Sequence, residues 1–231
     1  MPIRLISLED CPEGFDREIT RTNNTQNRIE RRDFVALDDE QERLKNELRL
    51  EGVTYVYKSG ESVPADAVGF DLVDASVARA CAQADIALTM QAKREIGRLW
   101  DDINKPPYKL LFNGGISGLA LWRHVQILRA VDSGLAQLQS SLEGRPRTFA
   151  IHGNRVVAHL VFQKHQIAPG MPYAELTADE KETIASEVSE FLEGVRRYAD
   201  VLYPDCYVAS LFKNQSKCKA IVDAVLAAGG S

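Results

Sequence analysis

Thr177-Ala178-Asp179-Glu180 opens a run that continues without a proline to Tyr203 and stops at Pro204, and its reading decides the fold. A threonine followed three residues later by glutamate is a capping box, in which each side chain accepts a hydrogen bond from the other residue's backbone amide. The run is therefore a long helix over 177–203. Working outward, the same 3.6-residue periodicity recurs on the N-terminal side. It predicts a helix over 72–84, carrying Leu72, Val73, Ala80, Cys81 and Ala84, and another over 88–103, carrying Ile96, Leu99, Trp100 and Ile103. The second is stopped by Pro106-Pro107, since proline lacks the amide a helix needs. Further helices are expected over 117–142, over 147–165 after a break at Gly144 and Pro146, and over 214–228, closed by Gly229-Gly230. Tyr108 to Gly115 reads as a connection.

Before Pro64 the texture differs. Val53-Thr54-Tyr55-Val56-Tyr57 alternates and ends at Lys58-Ser59-Gly60, which is the pattern of a strand. Its partner is expected in the β-rich stretch Ile3–Leu8, unless that stretch pairs upstream in a longer protein. Between them, Asp38-Asp39 caps a helix over 40–50 that Gly52 ends, with Gln41, Leu44 and Leu48 on one side. So narrow an apolar stripe places this helix on the surface. The fold class is mainly α, a helical domain of about five to seven helices with a small β element near the N-terminus, and α+β is the alternative. Residues 1–63 form the β/helix segment and residues 64–231 the helical domain, the two packing as one unit.

Composition bounds the function. The chain has 231 residues, 45% hydrophobic and 26% charged, with a formal net charge of -5, which is ordinary for a globular protein with one sizeable core. An acidic chain does not bind nucleic acid or an acidic membrane over its whole surface, so any such contact is a local patch. Cys11, Cys81, Cys206 and Cys218 show no CxxC spacing, which fits reduced thiols in the cytoplasm. No segment is a signal sequence or a membrane span.

Two stretches concentrate binding chemistry. Asn24, Gln26 and Asn27 lie in an amide-rich run that forfeits local helix stability, and Arg28, Arg31 and Arg32 follow it as a cationic rim. Amides donate and accept without charge, which suits base edges or backbone, and a capped surface turn is the competing reading. Lys213, Asn214, Lys217 and Lys219 gather where the last helix begins. Cations there oppose the helix dipole, so a phosphate-bearing partner would offset them; a solvated charged face is the alternative. Catalytic signals are sparse. His152, His159 and His165 are spaced seven and six apart, too far for one metal ion, and no cofactor motif is present. Arg147-Thr148-Phe149-Ala150-Ile151-His152 resembles the R-x4-H spacing of helical HEPN ribonucleases, which implies metal-independent RNA cleavage using Arg147 and His152.

A broader resemblance rests on ordered segments. Ile3-Arg4-Leu5-Ile6, Asn24-Thr25-Gln26-Asn27, Asp33-Phe34, Gln41 with Leu44, Tyr57-Lys58, Leu72-Val73-Asp74, Tyr108 to Asn113, and Leu211 to Lys219 occur in that sequence. Together they resemble the C-terminal half of the abortive-infection phage-resistance family, AIPR. The resemblance implies a bacterial phage-defence role, in an abortive-infection or restriction-associated setting. It also implies a longer N-terminal region that this chain lacks, so the chain reads as a fragment without its own catalysis. The partners so implied are DNA or RNA at the local basic patches, the upstream region, or a defence-locus protein, with no membrane and no cofactor. An RNase toxin and a structural module that self-associates are the alternatives.

Overall fold

The Thr177 hydroxyl accepts from the Glu180 amide at 3.2 Å, and the Glu180 carboxylate accepts from the Thr177 amide at 2.8 Å, so the capping box forms as the spacing requires. A computed structural model of the chain describes residues 31–167 and 175–229. Among the described residues stand eleven α-helices and two strands. In chain order they begin with α1 (Arg31–Val35), α2 (Asp39–Leu50), β1 (Thr54–Val56), β2 (Gly69–Asp71), α3 (Leu72–Cys81) and α4 (Ala87–Glu95). A 3-10 turn, Ile96–Trp100, leads to α5 (Tyr108–Leu111), α6 (Gly118–Ser141), α7 (Gly144–His152) and α8 (Asn154–Lys164). The last three are α9 (Ala178–Leu202), α10 (Val208–Leu211) and α11 (Gln215–Gly229). The mainly α class with a small β element holds.

The two longest helices organise the rest. α6 packs against α9 and also against α2, α3, α7 and α8, while α9 also meets α8 and α11. One continuous hydrophobic core runs between them from Val35 to Val225.

Three segments differ from the periodicity. Residues 88–103 do not make one helix, because Glu95 leaves helical geometry (φ -160°, ψ 86°) and the chain tightens into the 3-10 turn. That turn buries Leu99 and Trp100, and the indole of Trp100 donates to Ser76 Oγ at 2.9 Å. Residues 147–165 divide at Gly153, whose amide closes α7 on the Phe149 carbonyl at 2.7 Å. A Cβ there would stand 2.7 Å from the same carbonyl and 3.1 Å from the Phe212 ring. Gly144 and Pro146, expected as a break, instead sit in the first turn of α7, where a missing amide costs nothing. Tyr108–Leu111, expected as a connection, is the short helix α5.

β1 pairs in parallel with β2, Thr54 opposite Gly69 and Tyr55 opposite Phe70. This partner is a segment that carries no strand signal of its own; Ile3–Leu8 lies outside the described residues. Gly69 permits the pairing, since a Cβ on it would lie 2.2 Å from the Thr54 carbonyl. The pair supports a row of rings, Tyr55 on Phe70 at 4.9 Å and Phe70 on Trp122 at 5.5 Å, which ties the strands to α6.

Gly69→Ala is therefore expected to destabilise the protein by about 2 kcal/mol or more, because backbone must move to admit one methyl group. Gly229→Ala, with nothing within 4 Å of its added carbon, should stay within about 0.5 kcal/mol of the parent. Urea denaturation of both variants measures the difference.

Candidate functional site

Helix α2 turns Gln41, Leu44 and Leu48 fully inward, as their spacing demands. Gln41 is the polar member of that stripe, and a buried amide requires partners for both its ends. Tyr55 in β1 donates its hydroxyl to Gln41 Oε1 at 2.6 Å, and Gln41 Nε2 donates to the Tyr108 oxygen at 2.7 Å. Tyr108 in turn donates to Asp38 Oδ2 at 2.6 Å, and Lys109 Nζ lies 3.4 Å from Asp38 Oδ1. The direction is forced. A carboxylate only accepts, so Tyr108 must donate to it and accept from Gln41 Nε2, which leaves Gln41 Oε1 for Tyr55. Asp38, expected to cap α2, makes no side-chain cap bond and terminates this chain of bonds instead. Burial, reinforced by the bond to Asp38, pushes the Tyr108 hydroxyl well above the usual tyrosine range, so it remains a donor.

The polar face of α2, read as a solvated surface, is also engaged. Arg43 holds Glu40 at 2.7 Å and Glu47 at 2.5 Å and donates to the Ile116 carbonyl at 2.8 Å. Glu47 accepts from the Gly118 amide at 2.6 Å, fastening α2 to the first turn of α6. Tyr57 donates to Glu42 at 2.5 Å, which lowers the pKa of that carboxyl.

Among the described residues, the binding candidates turn to different neighbours. Asn24, Gln26, Asn27 and Arg28 lie outside the described residues, as does the side chain of Arg31. Arg32 turns partly inward and donates Nε to the Tyr57 carbonyl at 3.1 Å. At the start of α11, Asn214 Oδ1 accepts from the Lys217 amide at 3.0 Å. Lys217 Nζ lies 2.8 Å from the Cys206 sulfur and faces the Tyr203 ring, Lys219 pairs with Asp223 at 2.8 Å, and Lys213 is exposed.

Arg147 and His152 both fall on α7, five residues apart, so they project about 140° from each other around the helix. Arg147 is exposed and His152 half-buried, and the His152 carbonyl accepts from Lys93. Burial pushes the Lys93 amine down to about 8. The other histidines diverge. His159 Nδ1 meets the Cys81 carbonyl at 3.2 Å, and His165 meets Glu187 at 2.6 Å. Among the described residues no three His, Cys, Asp or Glu side chains are placed to hold a metal ion. A groove of about 530 Å³ lies between α6 and the start of α9, walled by Trp122, Gln126, Arg129, Gly134, Lys181 and Ala185. Gln126 accepts there from the Leu176 amide at 2.8 Å, and Arg129 spans the Gly69 carbonyl and Asp74, both at 2.9 Å.

Tyr108 and His124 carry more of the architecture than their local patterns indicate. His124 is buried on α6 beside the Phe162 ring, and its place among Leu121, Val125 and Leu128 was the available signal. Burial, then the charge of Arg79, pushes its imidazole down to about 3.

Tyr108→Phe removes one oxygen but orphans both Gln41 Nε2 and an Asp38 oxygen, and is expected to cost about 1–3 kcal/mol in urea denaturation. For His124, the unfolded chain binds a proton below its ordinary pKa of 6.5 while the folded chain waits until about 3. Stability is therefore full above that ordinary value and falls with acid across this window, by about 1.4 kcal/mol per pH unit at most. His124→Leu should flatten that limb measurably in denaturation midpoints taken between these limits, with His159 and the lowered carboxyls of Glu42, Glu180 and Glu193 supplying the residual slope.

Residues 1–85 match the model of a protein family described as AIPR protein. No curated protein and no solved structure matches the chain. The matched span contains Asp38, Gln41, Arg43, Tyr55 and Tyr57, whereas their partners Tyr108, Ile116 and Gly118 lie beyond it.

Proposed function

We propose that this chain is the recognition or regulatory portion of a bacterial phage-defence protein. In that reading it corresponds to the C-terminal half of the AIPR type, works with a longer N-terminal region that holds any catalysis, and contacts nucleic acid through residues 24–32. The AIPR match over residues 1–85 is the observation that carries it. The geometry agrees with a transmitting role, because the described part of the matched span is tied to the helical body by two buried hydrogen bonds and a part-buried one. Arg32 serves the fold through Tyr57, so the reading assigns the phosphate contact to Arg28 and Arg31 and contact with bases or sugar to the amides of Asn24, Gln26 and Asn27.

Fluorescence anisotropy with short single- and double-stranded DNA and RNA tests the reading. Binding should appear at low salt and weaken by about tenfold or more between 50 and 200 mM salt, as phosphate contacts release counterions. Arg31→Ala combined with Asn24→Ala should weaken it further. Absence of binding at low salt, or affinity indifferent to both substitutions, defeats the assignment.

A further inference from the structure

His159 is only 1% exposed and makes one hydrogen bond among the described residues, from Nδ1 to the Cys81 carbonyl. A carbonyl accepts, so Nδ1 carries the proton and Nε2 is left as a bare acceptor. Burial lowers the pKa of this imidazole, which keeps that tautomer neutral. The ring forms part of the wall of a separate small cavity of about 290 Å³, between the α3–α4 turn, α8 and α11. Ile86 and Val222 supply apolar sides, and Ala84 completes the turn. At the exposed edge stand Asp85, Asp223 and Lys219. Lys219 pairs with Asp223 at 2.8 Å, whereas among the described residues the one hydrogen bond of Asp85 is to the Ala87 amide, at 2.9 Å. Two carboxylates against one ammonium leave the edge negative.

We propose that this cavity binds a small aliphatic amine, one nitrogen donating to His159 Nε2 and the cationic end resting against Asp85. Each part of the cavity has a counterpart in that ligand. An inner acceptor requires an N–H donor, two aliphatic walls require methylene groups, and an acidic edge requires positive charge. An anion would meet Asp85 and Asp223, and among the described residues no three His, Cys, Asp or Glu side chains are placed to hold a metal ion. The site shares no residue with the stretch 24–32 and does not depend on nucleic-acid binding, so the two readings fail independently.

Isothermal titration calorimetry with 1,4-diaminobutane, against tetramethylammonium at matched ionic strength, provides the test. The diamine should give a saturable isotherm with a dissociation constant of about 10 mM or below, while tetramethylammonium, which has no N–H, gives none. Asp85→Asn retains the bond to Ala87 and should weaken the diamine at least about fivefold. Because His159 also supports the fold, its role is read without mutation: the Nε2 nitrogen resonance of the intact protein should move with the same saturation curve. Absence of saturable heat, equal binding of tetramethylammonium, unchanged affinity in Asp85→Asn, or an unmoved Nε2 resonance each overturns the proposal.

Discussion

The structure depends on the one-way hydrogen-bond chain from Tyr55 through Gln41 and Tyr108 to Asp38. A buried amide is costly unless both its ends are matched, and each member here is matched by only one arrangement of its neighbours. Gln41 brings α2, Tyr55 brings β1, and Tyr108 brings the segment after Pro106-Pro107. These three pieces therefore share one geometry. Once they are set, Glu47 reaches the Gly118 amide and Arg43 reaches the Ile116 carbonyl, so the start of α6 is placed as well. The ring row from Tyr55 to Trp122 then joins the same helix one turn farther along.

Among the described residues, several charged side chains serve internal contacts. Arg32 supports the end of β1, Arg43 bridges two acids and a loop, and Lys217 covers Cys206 and Tyr203. A run of like charges along the sequence is thus divided among several neighbours in space. Long side chains allow this, since their stems lie along apolar surface while the heads find acceptors nearby. Lys93 is the extreme case, half-buried over the Phe212 ring with the His152 carbonyl as its acceptor.

The described part of the AIPR-matched span, residues 31–85, takes hydrogen-bond partners from beyond it. Asp38 and Gln41 find Tyr108 outside it, and Glu47 finds Gly118. A ligand or partner that shifted α2 would therefore disturb bonds that extend into the helical body. That coupling gives the matched segment a physical route to the rest of the chain, with buried polar groups as its carriers.

Local pattern alone determined several elements of this protein. The capping box at Thr177, the inward stripe of α2, the helix capped by Ser117 and the strand at Tyr55 are all legible, because each depends on neighbours within a turn or two. Tertiary structure decided what depends on distant groups. β2 exists because Gly69 lets the Thr54 carbonyl approach, although Gly-Phe-Asp has no strand character. α7 and α8 separate at a glycine pressed against Phe212, and Asp38 forgoes its cap because Tyr108, seventy residues away, is the better-placed donor. The orientations of Arg32, Lys217 and His159 are likewise set by carbonyls, rings and a sulfur contributed from other segments. Side-chain periodicity specifies which face is buried; the identity of the buried partner is fixed only when the faces meet.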